Sequence, residues 1–278
     1  MTHSLTGRTA ACLLAACLTT AALAQTSPEA KPLWEVGVVG GALRMPAYPA
    51  SRDTTSGVIV APFILYRGEV LRAEQNSIGA RLINQPGYEL DLGLAGSLAA
   101  SSKDVSVRAG MPSLGYLVEI GPRLRVKLWD DGPATQLRLD VPLRTVLELR
   151  GGVNAQGLAF EPELRLSQRL LGGWNVDTSL GVMWGNRQLN QYFYGVDSAY
   201  ATASRPAYSA ESGRIATRLG LTVSRHLTPD VRLLAYARAE SFSGSANRAS
   251  PLYQKDTGTS VGVALAWTLG RSSQGGHD

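Results

Sequence analysis

Charged side chains recur at even spacings in three stretches of this chain. They are Glu119, Arg123, Arg125 and Lys127, then Arg138, Asp140, Arg144 and Glu148, then Glu161, Glu163, Arg165 and Arg169. Residues an even number apart fall on one side of a β-strand, so each group forms a charged stripe. Two chemistries suit such stripes. One is a cross-strand network of ion pairs, since both signs are present and buried charge requires pairing. The other is an interior field that selects a small anionic solute. Acid-base or nucleophilic catalysis is poorly supplied: of three histidines, His3 and His277 lie at the two ends, leaving His226 in Ser224-Arg225-His226. Glycine-rich Gly37 to Gly41 and Gly151-Gly152 lack the Lys-Ser/Thr of a phosphate loop, and no His/Asp/Glu group has metal-ligand spacing, so no cofactor is expected.

The stripes must be carried by strands. From Tyr116 to Leu149, Val118, Ile120, Pro122, Leu124, Val126 and Leu128 alternate with the first charged set. Beyond Asp130-Asp131-Gly132-Pro133, Leu137, Leu139, Val141, Leu143, Leu147 and Leu149 alternate with the second. In a soluble sandwich the Leu/Val side would be the core and strands would run roughly five or six residues. In an outer-membrane barrel the apolar side meets lipid, the charged side lines the lumen, and strands need roughly nine to eleven residues. The arms here have barrel length.

The first 24 residues read as a secretory signal: Arg8 precedes the apolar run Ala10 to Ala21, and Ala22-Leu23-Ala24 offers a cleavage site. Leu14-Ala15-Ala16-Cys17 also resembles a lipobox, which would leave Cys17 acylated. Both cysteines, Cys12 and Cys17, lie in this segment, so cleavage after Ala24 leaves a chain without disulfides or thiolate metal sites. Arg8 departs with it, and 26 basic residues then face 22 acidic ones, an excess too mild and too dispersed for nucleic acid. No later stretch approaches the ~18 apolar residues of a spanning helix, so an exported, glycine-rich, alternating chain is left with a closed barrel.

The division that follows is a signal at 1–24, a polar leader at 25–33, an antiparallel up-and-down barrel of about twelve strands at 34–269, and a polar tail at 270–278. Strands three and four divide at Glu74-Gln75-Asn76. Strand eight is expected from Gly157 to Leu170 after a connection from Arg150 to Gln156, and strand nine from Trp174 to Trp184. The longest loop, Gly185 to Ser212, holds four tyrosines: Tyr192, Tyr194, Tyr200 and Tyr208. With the N-terminus periplasmic, every long connection falls outside and the intervening ones are short, the habit of bacterial barrels. Trp174 and Trp184 sit ten residues apart on the lipid side, about 25 Å along the membrane normal for a tilted strand, which is the height of the apolar band. With Tyr116, Trp129 and Trp267 they suit an aromatic girdle.

The ordered set Trp34-Glu35-Val36-Gly37-Val38, Pro46-Ala47-Tyr48, Ala61-Pro62-Phe63-Ile64-Leu65-Tyr66-Arg67-Gly68, Gly79-Ala80-Arg81-Leu82 and Gly110-Met111 resembles the MltA-interacting protein family, MipA/OmpV, of Gram-negative outer membranes. The resemblance spans the whole mature chain. It departs at the end, where a polar tail follows Trp267-Thr268-Leu269 instead of a terminal aromatic residue. It implies a non-enzymatic scaffold, in contact with outer-membrane lipid and lipopolysaccharide, that brings a periplasmic murein lytic transglycosylase together with a peptidoglycan synthase. Two other readings stay open from the residues: a small-solute channel using the charged lumen, and a hydrolase of envelope lipid built on His226.

Overall fold

The computed structural model describes residues 32–276 apart from 68–70, 75–76, 99, 101–104 and 133. The expected signal, the Cys17 site and nearly all of the leader lie outside the described residues. Thirteen strands form one antiparallel sheet: β1 (Trp34–Pro46), β2 (Thr54–Arg67), β3 (Leu71–Glu74), β4 (Ser77–Gln85), β5 (Tyr88–Ser97), β6 (Tyr116–Asp131), β7 (Thr135–Leu149), β8 (Val153–Phe160), β9 (Glu163–Leu170), β10 (Trp174–Gly185), β11 (Gly213–His226), β12 (Val231–Ser241) and β13 (Thr257–Arg271). Neighbours in sequence pair except β8 with β9, and β1 pairs with β13 as well as β2, which closes the ring.

β8 and β9 are two halves of one stave. Both pair with β7 and both with β10. The break falls at Glu161-Pro162, where proline offers no N–H to the ladder. The ladder is nevertheless bridged, because Glu161 N donates to Pro142 O at 3.3 Å and Val182 N donates to Pro162 O at 3.1 Å. The barrel therefore has twelve staves, the number the alternation predicts.

Three boundaries differ from the sequence reading. The stave after β7 begins at Val153 instead of Gly157: Gly151 (φ 64°) and Gly152 (φ 138°) take left-handed conformations that reverse the chain in three residues. Gly157, at φ 120°, instead marks a bulge where the β7 register slips. The last strand runs past Leu269 to Arg271, because Gly270 and Arg271 still find partners in Val36 and Glu35, so the tail is shorter than expected. The long loop after β10 is not irregular throughout. It opens with helix α1 (Arg187–Tyr194), capped by Asn186, whose side-chain oxygen accepts from Leu189 N at 3.0 Å.

The packing is inverted relative to a soluble sheet. Outward residues such as Val58 (79% exposed), Val60 (73%) and Leu219 (52%) face away from the interior, while Arg123 and Asp140 on the inner side are buried. Leu164 is exposed and its cross-strand partner Leu139 half-buried, so neither packs in a sandwich core. The buried apolar cluster lies instead at the long-loop end. It joins Tyr48 and Ala50 after β1, Val105 to Leu114 after β5, Leu189 to Val196 after β10, and Phe242 and Leu252 after β12. These segments form a folded cap. The opposite end carries only short turns.

Close approach between β6 and β7 depends on Gly121, where a Cβ would stand 2.0 Å from Leu143 O and 2.8 Å from Arg144 Cα, both backbone atoms. Gly121→Val is expected to destabilise the barrel by more than about 2 kcal/mol in urea unfolding from lipid vesicles, whereas Gly40→Ala, whose new methyl meets nothing nearer than 4.0 Å, stays within about 0.5 kcal/mol.

Candidate functional site

The strands enclose a cavity of ≈ 780 Å³ that runs from Met45 near the long loops to Leu65, Pro229 and Arg271 at the short-turn end. Inner-facing charge lines most of it, and the pairs are specific. Arg123 grips Asp91 with two parallel hydrogen bonds, Nε to Oδ1 at 3.0 Å and Nη2 to Oδ2 at 2.6 Å. Arg125 reaches the same carboxylate at 2.9 Å and Glu89 at 3.4 Å. Further round, Asp140 is shared by Arg138 (3.1 Å) and Arg165 (3.6 Å), and Arg165 also holds Glu163. Nearer the cap a chain of alternating sign joins residues from five staves: Glu119 to Arg144 at 3.3 Å, Arg144 to Glu161 at 3.6 Å, Glu161 to Arg218, and Arg218 to Glu240 at 2.8 Å. Arg125, Arg144, Arg165 and Arg218 each bridge two carboxylates, the fork geometry that favours arginine over lysine when charge is buried.

Ten of the twelve charges singled out in sequence line this cavity, and two do not. Lys127 lies where β6 outruns the barrel wall; its side chain is 65% exposed and pairs with Asp130 at 3.4 Å. Glu148 sits at the other extreme, buried under the cap. Its Oε1 accepts from Gly115 N at 2.7 Å and from the Tyr192 hydroxyl at 3.0 Å, and its Oε2 accepts from Gln156 Nε2 at 2.9 Å. Arg169 lines the cavity without an ion pair among the described residues. Sequence reasoning left out Glu35, Asp91, Asp177, Arg218, Arg232 and Arg238, which carry the lining around the rest of the ring. The signal was available: Arg218, Gly220, Thr222, Ser224 and His226 alternate with Leu219, Leu221 and Val223. Only the ring closure makes that stripe face the same space as the first three.

The cap is tied by polar groups drawn from different loops. Arg205 donates to Val107 O (2.7 Å), Ala109 O (2.9 Å) and Tyr200 O (2.7 Å), and the Tyr48 hydroxyl donates to Leu252 O at 2.7 Å. Ser250 Oγ donates to Tyr194 O at 2.7 Å, and Asn247 Nδ2 donates to Asn190 Oδ1 at 3.0 Å. Burial pushes the hydroxyls of Tyr48, Tyr192 and Tyr194 above the ordinary phenol range, and at Tyr192 the Glu148 carboxylate adds to it. Burial likewise pulls the Arg108 guanidinium down, its charge facing the Tyr48 ring at 5.7 Å. A second cavity of ≈ 70 Å³ separates Tyr48, Tyr192 and Phe193 of the cap from Glu119, Arg218 and Glu240 below.

On the outer surface Trp129 (64% exposed), Trp267 (59%) and Trp174 stand toward the short turns, and Tyr116 (57%) and Trp184 (37%) toward the loops. Trp129 reaches the outer side through a register slip between Lys127 and Trp129, which pairs it with outward Leu137. Trp174 lies against Arg225 at 5.4 Å and Trp184 against Phe160 at 5.9 Å. His226 ends β11 on the cavity side, and among the described residues no hydrogen bond joins it to a serine or carboxylate. No group of three or more His, Cys, Asp or Glu among the described residues could hold a metal ion.

A closed ring of strands with apolar residues outside and paired charges inside defines a bacterial outer-membrane β-barrel. The sequence matches the family described as MltA-interacting protein MipA over residues 37–269, and the chain belongs to that family. Among solved structures it is similar to the NanC porin at 10% identity, covering 84% of this chain and 100% of that one with a TM-score of 0.41. It is similar to the translocator domain of the autotransporter NalP from Neisseria meningitidis at 14% identity, covering 85% and 88%, TM-score 0.40. It is similar to outer membrane phospholipase A from Escherichia coli at 14% identity, covering 86% and 94%, TM-score 0.36. No curated protein matches.

Unfolded tyrosines ionise near pH ~10, while the three cap hydroxyls keep their protons to higher pH. Their contribution to cap stability is therefore complete below pH ~10 and is lost as the pH rises from there through the folded values. Phenolate absorbance of the folded barrel is expected to show a late-titrating fraction that vanishes on denaturation, with proteolysis of the loops accelerating over the same alkaline range.

Proposed function

We propose that this barrel is a non-enzymatic scaffold of the outer membrane whose short-turn end, facing the periplasm, gathers a murein lytic transglycosylase and a peptidoglycan synthase. The observation that carries the reading is membership of a family named for interaction with MltA. The architecture is compatible with it. The cap occludes the long-loop end, and the short turns present apolar groups to the periplasm, Leu171 at 98% exposure and Leu227 at 54%. The outer aromatic residues Trp174, Trp184, Tyr116, Trp129 and Trp267 serve as the girdle that sets the barrel's depth among outer-membrane lipid and lipopolysaccharide. The interior charge wall from Glu119 to Arg169 keeps the staves in register.

The ≈ 780 Å³ cavity favours a second reading, a small-solute channel, and the cap opposes it. Hydrolysis of envelope lipid through His226 has the least support, since among the described residues no hydrogen bond joins the histidine to a group that would make it a base.

Affinity capture from solubilised outer membranes, with cross-linkers placed at Leu171 and Leu227, is expected to recover a peptidoglycan enzyme linked at those turns. Recovery of lipid and chaperones alone would end the scaffold reading. In planar bilayers the intact barrel is expected to stay at baseline conductance across salts, while Glu148→Ala, which removes three cap hydrogen bonds, raises it at least several-fold. Steady conductance from the intact chain would favour the channel instead.

A further inference from the structure

We infer that the short-turn half of the cavity is a binding site for a small polar molecule bearing an oxyanion, a carboxylate or a phosphate. Arg169 on β9 and Arg232 on β12 hold it, with Asn175 and Ser224 between them. This inference stands apart from the scaffold reading and requires no partner.

The placement follows from register. Arg169 lies opposite Asn175, Asn175 lies opposite Ser224, and Ser224 Oγ accepts from Arg232 Nη2 at 2.6 Å. Directly opposed residues stand roughly 5 Å apart, so four staves bring two guanidiniums, an amide and a hydroxyl onto one inner arc. All but Ser224 line the large cavity, with Thr222 and His226 beside them.

The guanidiniums of this arc lack a direct ion pair among the described residues, although Asp177 and Glu35 act on Arg232 at longer range. In the upper half each lining arginine from β6, β7, β9 and β11 has a carboxylate: Asp91, Asp140, Glu119, Glu161, Glu163 or Glu240. Toward the short turns two acids are paired with other arginines, and the third, Asp177, keeps its charge within the cavity. Glu35 holds Arg67 at 2.7 Å, Asp230 holds Arg271, and Asp177 accepts from Ser167. Among the described residues neither Arg169 nor Arg232 has an ion pair. Among the described residues the Arg232 Nε is buried without an acceptor, as are those of Arg144 and Arg165, but Arg232 has no ion pair beside it. An unmade hydrogen bond on a buried cation is costly, and an anion seated between the two guanidiniums removes that cost.

Access and size agree. The cap closes the far end, whereas Pro229 and Arg271, both exposed, line the cavity at the turns, so a ligand enters from the turn side. At ≈ 780 Å³ the space is in the range of small-molecule sites, large enough for a sugar acid and too small for a polymer. Hydroxyl and amide groups on the wall suit a ligand with a hydroxylated body, and the paired arginines suit a bidentate oxyanion.

The test is calorimetric titration of the full barrel in detergent at low salt with glucuronate, inorganic phosphate and neutral glucose. At least one anion is expected to bind saturably and to weaken with added salt, while glucose gives no response. Binding by glucuronate alone assigns a carboxylate ligand; binding by phosphate alone or phosphate more tightly assigns a phosphorylated one. The double variant Arg169→Gln/Arg232→Gln is expected to weaken the anion at least roughly tenfold. Because that variant could lose folded barrel, Asn175→Asp provides an isosteric alternative: its carboxylate occupies the arc from within and abolishes anion binding without altering the fold. If neither anion binds the intact protein, or if intact, double-variant and Asn175→Asp barrels titrate alike, the inference is overturned.

Discussion

Inside hydrocarbon a backbone N–H or C=O has no water to turn to, so every one must be satisfied by another strand. The pairing of β1 with β13 is where this chain meets that demand, since without it two edges would stand open to lipid. Everything else in the architecture follows from closure. A closed sheet of twelve staves has one face toward lipid and one toward a narrow interior, and the period-two alternation sorts side chains between them.

That sorting reverses the usual arrangement and creates its own difficulty. Arginines and carboxylates are brought into a confined space where charge is expensive unless paired. The relay from Glu119 through Arg144, Glu161 and Arg218 to Glu240 resolves it by letting each group bridge two neighbours. Such a relay also opposes slippage. A one-residue shift between staves would turn these charges outward into lipid, so the network specifies register more than it supplies net stability. Among the described residues the buried apolar cluster lies at the cap, where four loops pack with the strand ends beneath them.

Much of this was legible in the residues. The charged stripes on β6, β7 and β9, the break at Glu74 and the twelve-stave count all follow from alternation and turn residues, which are local signals. What was not legible depends on tertiary context. Trp129, expected in the girdle, has the parity of the lumen residues in β6, and the one-residue slip near Leu128 that sends it outward has no sequence signal. Glu148 carries the same alternation as Arg144 but ends beneath the cap, where it serves Gly115 and Tyr192 and takes no part in the lumen relay. The cap itself was hidden. Tyr48, Leu114, Phe193 and Leu252 each look like isolated apolar residues in loops, and only their convergence above the ring makes them a core. Helix α1, at eight residues, is too short for its periodicity to stand out, although Asn186 marks its start.

The closing seam has a temporal consequence. Trp34 N donates to Ser272 Oγ at 3.3 Å across 238 positions of chain, so the first and last strands are joined by contacts of very long range. Such contacts form slowly, because nearly the whole polypeptide must be threaded into place before its two ends can zip together. On the inner side of that zipper each pair includes a small residue, with Gly37 facing Thr268, Val39 facing Ala266, Gly41 facing Ala264 and Leu43 facing Gly262, so no two bulky groups meet when it shuts. During biogenesis the sheet therefore keeps two unpaired edges until its final segment arrives.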